Sequence, residues 1–143
     1  MPYRFLEDIV MADVAFEAYG NSVLELFESA GQALTNVMIE EVSTIEEKYA
    51  RDFKVSADSI DMLLFNFLQE ILFYKDAEQI LFKSFIIAMN EEEKTMELKV
   101  KAKGDKISPG RYELITDAKG ISLFNFKVAK DKGVWKARVV VDV

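Results

Sequence analysis

"SIDMLLFNFLQEILFYKDA", residues 59–77, is the stretch that decides the fold. Ile60, Leu63, Leu64, Phe67, Leu68, Ile71 and Leu72 recur at steps of three and four, the spacing that gathers side chains on one face of an α-helix. Met62, Phe65, Phe73 and Tyr74 widen that face. An apolar surface this broad belongs either in a core or in a groove that a partner fills. The core reading places Ile60, Leu63, Leu64, Phe67, Leu68 and Ile71 against a sheet that also contributes Phe16, Leu98, Val139 and Val141.

Working outward, "NSVLELFESAGQALTNVMI" (residues 21–39) is the second helix. Ser22 and Glu25 have the spacing of a capping box, in which a hydroxyl and a carboxylate satisfy the free amides of the first turn. Leu26, Phe27, Ala30, Leu34, Val37 and Met38 then form one stripe. Before it, "DVAFEAYG" alternates, with Val14, Phe16 and Ala18 on one side and Asp13, Ala15, Glu17 and Tyr19 on the other. It reads as a strand closed by Gly20. "KYARDFKVSA", "LFKSFIIAMNE", "TMELKVKAKGDKI", "GISLFNFKVAK" and "VWKARVVVDV" supply further strands. The last two are joined by "KDKG", a hairpin turn. Met96, Leu98, Val100 and Ala102 point inward. Lys99, Lys101 and Lys103 form a solvated row or a contact for an anionic surface. The sum is an α+β fold, two helices packed on a mainly antiparallel β-sheet, in a single domain over residues 1–143.

Composition removes whole classes of chemistry. The chain has 143 residues, no cysteine and no histidine. Disulfides, thiolate nucleophiles, imidazole bases and ordinary zinc sites are therefore absent. A metal would be held by oxygen alone, which favours calcium, magnesium or manganese. The net charge of −7 argues against nucleic acid as a partner bound independently. No run reaches the roughly 18 apolar residues of a membrane span, and "MPYRFLEDIV" is not a signal peptide. The expectation is a cytoplasmic protein with no membrane contact. Gly104 and Gly120 stand alone and read as turn residues, not as a phosphate-binding loop.

"KARVVVDV", residues 136–143, is an apolar strand that delivers Asp142 and the Val143 carboxylate one residue apart. Two such groups repel, so a hard cation or a lysine would neutralise them. The plain alternative is a strand end that finishes in solvent.

Taken in order, "ADVAFEAYG", the acidic helix after it, "LLFNFLQEILFYKDAE…LF", "AKG" and "VVVDV" resemble the archease family over nearly the whole chain. That resemblance implies a small α+β fold and a non-enzymatic protein cofactor. Its partner would be the RtcB-type RNA ligase of tRNA splicing and RNA repair, whose guanylylation by GTP and multiple turnover it promotes. GTP would be engaged only through the ligase. The resemblance further implies a divalent metal site, calcium before magnesium or manganese, at Asp13 and Asp142, and a functional lysine at Lys119 of "DAKG". The Val143 carboxylate is a candidate third ligand. Lys119 beside Asp117 reads equally as a surface ion pair of negligible energy. The sequence departs from relatives in two places. Val10-Met11-Ala12-Asp13 replaces "HTAD", and Tyr112 stands where many carry histidine. Asp8 is a further metal-ligand candidate. Two other readings remain open: a metal-dependent hydrolase using Asp13, Asp142 and Lys119, and a general chaperone or interaction module working through the aromatic helix.

Overall fold

The computed structural model describes residues 2–6, 13–108 and 110–143. Among them the chain forms β1 (Tyr3–Leu6), β2 (Asp13–Gly20), α1 (Val23–Met38), a 3-10 turn (Val42–Thr44), β3 (Tyr49–Ala57), α2 (Ile60–Glu78), β4 (Ile80–Glu92), β5 (Thr95–Lys106), β6 (Gly120–Asp131) and β7 (Val134–Asp142). The α+β class expected from the sequence holds. The strands divide into two antiparallel sheets, β1-β2-β7-β6 and β3-β5-β4. Both helices touch both sheets: α1 packs on β2, β7 and β4, and α2 on β3, β4, β5 and β6.

Local signals start and stop these elements. The Ser22 hydroxyl accepts from Glu25 N at 3.2 Å, and the Glu25 carboxylate accepts from Asn21 N at 2.8 Å, so the capping pair closes one residue early. Lys132 and Gly133 both have positive φ (52° and 82°). That is the two-residue turn whose twist suits a hairpin between β6 and β7.

Leu63, Leu64, Phe67, Leu68 and Ile71 are buried in one cluster with Phe16, Leu98, Val139 and Val141. Ile60 is half-buried against it, while Met62 and Phe73 are exposed. The stripe is therefore core, and the reading of α2 as an open partner groove falls away. Among the described residues, no helix is long and apolar enough to cross a membrane.

Gly104 and Gly120, expected in turns, lie on β5 and β6. Gly104 is required by close approach: a Cβ there would sit 1.8 Å from Leu81 O. This is where β4 shifts register between Phe82 and Ser84, as glycine within a strand often marks.

A polar knot fastens the far end of β5. The buried Asp105 accepts from Tyr112 Oη at 2.8 Å and from Lys106 N at 2.9 Å, and Tyr112 Oη itself accepts from Glu46 N at 3.1 Å. Burial alone would push the Asp105 carboxyl up; the hydrogen bonds from Tyr112 and Lys106 outweigh it and hold it below its ordinary value. A depressed folded-state value contributes stability above the unfolded pKa of about 3.9 and loses it as pH falls through the folded value. Tyr112→Phe removes one of those donors. The stability gap between wild type and Tyr112→Phe is expected to be full at neutral pH and to narrow on acidification, as read by urea denaturation at several pH values. A gap that widens in acid would contradict this.

Candidate functional site

The register of β2 on β7 sets Asp13 directly opposite Asp142, and β6 sets Gly120 opposite Asp142 on its other side. Directly opposed residues share a face, with Cβ atoms about 5 Å apart. Phe16, Val139 and Val141 point into the core. The strand alternation therefore puts Asp13 and Asp142 on the sheet face turned away from the helices. Asp142 is exposed, and Asp13 and Val143 are half-buried. The third position of the row carries no side chain: a Cβ at Gly120 would lie 3.7 Å from Asp142 Oδ2. The Asp142 carboxylate thus has open room beside it.

Lys119 N donates to Asp142 O at 2.8 Å, extending the pairing one residue beyond β6. The three positions Asp13, Asp142 and Lys119 are thereby brought to one end of one sheet. Lys119 is exposed. It does not pair with Asp117, because Asp117 Oδ1 is 2.6 Å from Lys75 Nζ.

Lys75 is the residue that sequence reasoning missed. It is only 5% exposed. Its ammonium donates to Asp117 Oδ1 at 2.6 Å and Ala118 O at 2.8 Å, and it pairs with Asp76 Oδ1 at 2.5 Å. Burial alone would lower its pKa; the Asp117 and Asp76 carboxylates outweigh burial and raise it, so Lys75 is charged at neutral pH. Nearby, Gln69 Oε1 accepts from Ile121 N at 3.3 Å. Helix α2 therefore grips the 117–121 segment at two points, on either side of Lys119. A signal was available, since Lys75 continues the Ile71 and Leu72 stripe by helical spacing, and a cation on a buried face calls for acceptors.

Lys75→Met leaves the Ala118 carbonyl without that donor, while Asp76 and Asp117 are exposed enough to hydrate. A loss of about 1–3 kcal/mol in urea-unfolding stability is expected. A change under about 0.5 kcal/mol would mean the tether does not hold the turn.

The donor set fits a hard cation in kind, being carboxylate oxygen only. It is sparse, however. Among the described residues no three Asp, Glu, His or Cys side chains lie close enough together to hold a metal ion. Asp8 falls outside the described residues. Tyr112 is committed to Asp105 on the other sheet.

The fold and this corner define a small two-helix, two-sheet protein whose polar groups converge where β2, β7 and the start of β6 meet. The sequence profile of the Archease protein family (MTH1598/TM1083) matches residues 3–143, and the chain belongs to that family. The protein archease of Pyrococcus abyssi is 35% identical over 133 residues, covering 92% of this chain and 93% of the relative. That of Methanosarcina mazei is 32% identical over 142 residues, covering 99% and 95%. The solution structure of protein 1598 from Methanobacterium thermoautotrophicum is similar with a TM-score of 0.87, 30% identity and 99% coverage of both chains. A Thermotoga maritima crystal structure, described as an archease and possible chaperone, shares the fold at a TM-score of 0.55 and 17% identity, covering 96% of this chain and 98% of the other.

Proposed function

We infer that this chain is a non-catalytic cofactor of an RtcB-type RNA ligase in tRNA splicing and RNA repair, promoting guanylylation of the ligase and its multiple turnover. One observation supports this above the others: the pairing of Asp13 with Asp142, with Lys119 hydrogen-bonded to the same residue. In this reading Asp13, Asp142 and the Val143 carboxylate hold a divalent ion, calcium in the first place, with magnesium or manganese as substitutes. Asp8 is the reserve ligand. When bound, the ion supplies positive charge at a surface where the ligase docks. Lys119 adds a second positive group there, aimed at a phosphate or a ligase carboxylate. GTP is handled by the ligase. The protein works in the cytoplasm, without membrane contact and without binding nucleic acid on its own.

The test is ligase autoguanylylation at limiting ligase, with and without this protein. Repeated rounds of guanylylation only in its presence are expected. Hydrolysis of GTP by the isolated chain would overturn the reading in favour of a hydrolase. Protection of unrelated clients from aggregation, with no effect on the ligase, would favour a general chaperone.

Lys119 gives a narrower test. Because its side chain is exposed, Lys119→Ala is expected to change stability by no more than about 0.5 kcal/mol while cutting ligase stimulation. Full stimulation by the folded variant would remove Lys119 from the site.

A further inference from the structure

Each of the two sheets has two edges, and three of these edges are guarded against pairing. β1 is only four residues long and carries Arg4. β6 breaks its ladder: Ser122 pairs with Val140 and Lys127 with Arg138, so residues 123–126 bulge against Val139, with Asn125 at a positive φ of 57°. β3 carries Arg51, Asp52 and Lys54 within its nine residues. Short strands, bulges and charges are the devices that stop a sheet edge from recruiting another chain.

The fourth edge lacks them. β4 runs for 13 residues and pairs only with β5. Its first part is occupied on the outside. Thr35 Oγ1 of α1 donates to Phe82 O at 2.8 Å, Lys83 Nζ to Ser43 O at 3.2 Å, and Ser84 Oγ to Glu47 Oε1 at 3.1 Å. From Phe85 onward, among the described residues, no loop or helix hydrogen-bonds to the strand. The ladder to β5 is unbroken from Ser84 to Glu92, so this stretch is regular. Its sequence, Phe85-Ile86-Ile87-Ala88-Met89, holds no charge, proline or glycine. Phe85 is buried and its ring packs beside Gly31 of α1, which fixes the inner face. Ile86 is 61% exposed on the outer face, and Ala88 beside it is exposed as well. Every second N–H and C=O of such a strand points away from its one partner. A regular apolar edge of this kind is a template for another strand.

Charge selects which strand. Lys83 precedes the apolar stretch and Glu91, Glu92 and Glu93 follow it; among the described residues none of the four forms an ion pair. An antiparallel copy of the same strand lays the lysine of each chain beside the glutamates of the other. A parallel copy would set like charges together. We propose that β4 pairs antiparallel with β4 of a second copy of this chain, about a two-fold axis at Ile87, joining the two three-stranded sheets into one. Ile86 of each copy then faces Ala88 of the other, and Lys83 faces Glu91. The contact uses the same edge of both chains, so association closes at two. It requires none of Asp13, Asp142 and Lys119, and stands independently of the ligase reading.

The experiment is sedimentation of the full chain from about 5 µM to about 1 mM, with amide exchange measured at both ends of that range. A monomer–dimer equilibrium is expected, with protection of amides in residues 85–91 that rises with dimer fraction. Ile86→Lys and Ala88→Lys each bring two ammonium groups together near the axis and should raise Kd by about tenfold or more. Both side chains are exposed, and retained amide dispersion shows that the variants fold. Phe73→Lys, on the exposed side of α2, should leave Kd unchanged. Lys83→Glu should weaken the dimer at low salt by about threefold or more, and Glu91→Lys in the same chain should restore it. A monomer at every concentration overturns the proposal, as does growth beyond a dimer. It is equally overturned by dimerisation that both lysine variants leave intact, or by a charge reversal that the second change does not restore. Protection of residues 85–91 that appears only when an RNA ligase is added to a monomeric chain would give the edge to that partner and overturn self-pairing.

Discussion

Asp142→Ala is expected to abolish any rise in melting temperature produced by calcium, magnesium or manganese, and with it ligase stimulation, while leaving metal-free stability almost unchanged. Asp142 is exposed, so removing its side chain forfeits little packing. Its loss separates the cross-strand pair, and one remaining aspartate is a poor site for a hard cation. A ligand present at a hundred times its Kd stabilises the folded state by about 2.7 kcal/mol. In a chain of this size that is a shift of roughly 5–10 °C, easily read by calorimetry. Asp13→Ala should behave alike in its response to metal. A chain extended beyond Val143 should respond more weakly, because its last carboxylate is moved. A variant that keeps the full shift would take Asp142 out of the site. A wild-type protein with no shift at millimolar metal would leave the two aspartates without a cation in the isolated chain.

The second large effect lies in the core. Phe67 is fully buried, with its ring 5.7 Å from that of Phe27, 6.3 Å from Phe53 and 5.4 Å from Phe85. Those partners come from α1, β3 and β4, so this one ring joins both helices to the three-stranded sheet. Phe67→Ala removes the ring and leaves a cavity that three rigid neighbours cannot easily fill, at a cost of about 3–5 kcal/mol. Set against the 5–15 kcal/mol typical of a domain, that loss should move the urea midpoint by a large fraction or leave the protein unfolded at 37 °C. A loss under about 1 kcal/mol would show that the surrounding rings collapse into the space.

The helices were legible because their period is local: the Ile60–Leu72 stripe needs no knowledge of what it packs on. The alternation of β2 likewise assigned Asp13 and Phe16 to opposite faces before any partner strand was known. Pairing was not local. The division into two sheets, and the meeting of Asp13 with Asp142, depend on register between strands distant in the chain. β1 went unread because its four residues, Tyr3–Leu6, mix a charge with aromatics and show no clean alternation. The bulge in β6 was invisible for a related reason: "SLFNFK" alternates well enough to pass for a straight strand, although Leu123 and Phe124 are 61% and 62% exposed. Lys75 was passed over because a lysine in a helix defaults to solvent, and only the distant Asp117 and Ala118 reveal why it is inside.

Strand β7 lies between β2 and β6, so the four-stranded sheet depends on the latest strand in chain order to unite one of the earliest with its own hairpin partner. Contacts between such distant segments require closing a long loop and slow the search for the native state. Synthesis proceeds from the other end, and β2 waits with an unpaired edge until β7 emerges. During that interval the exposed edge is open to mispairing with other chains. The acidic corner, having one aspartate on each of these two strands, comes into being only when β7 pairs with β2. A nascent or truncated chain without β7 would lack Val139 and Val141 from its core and would have no such corner to present.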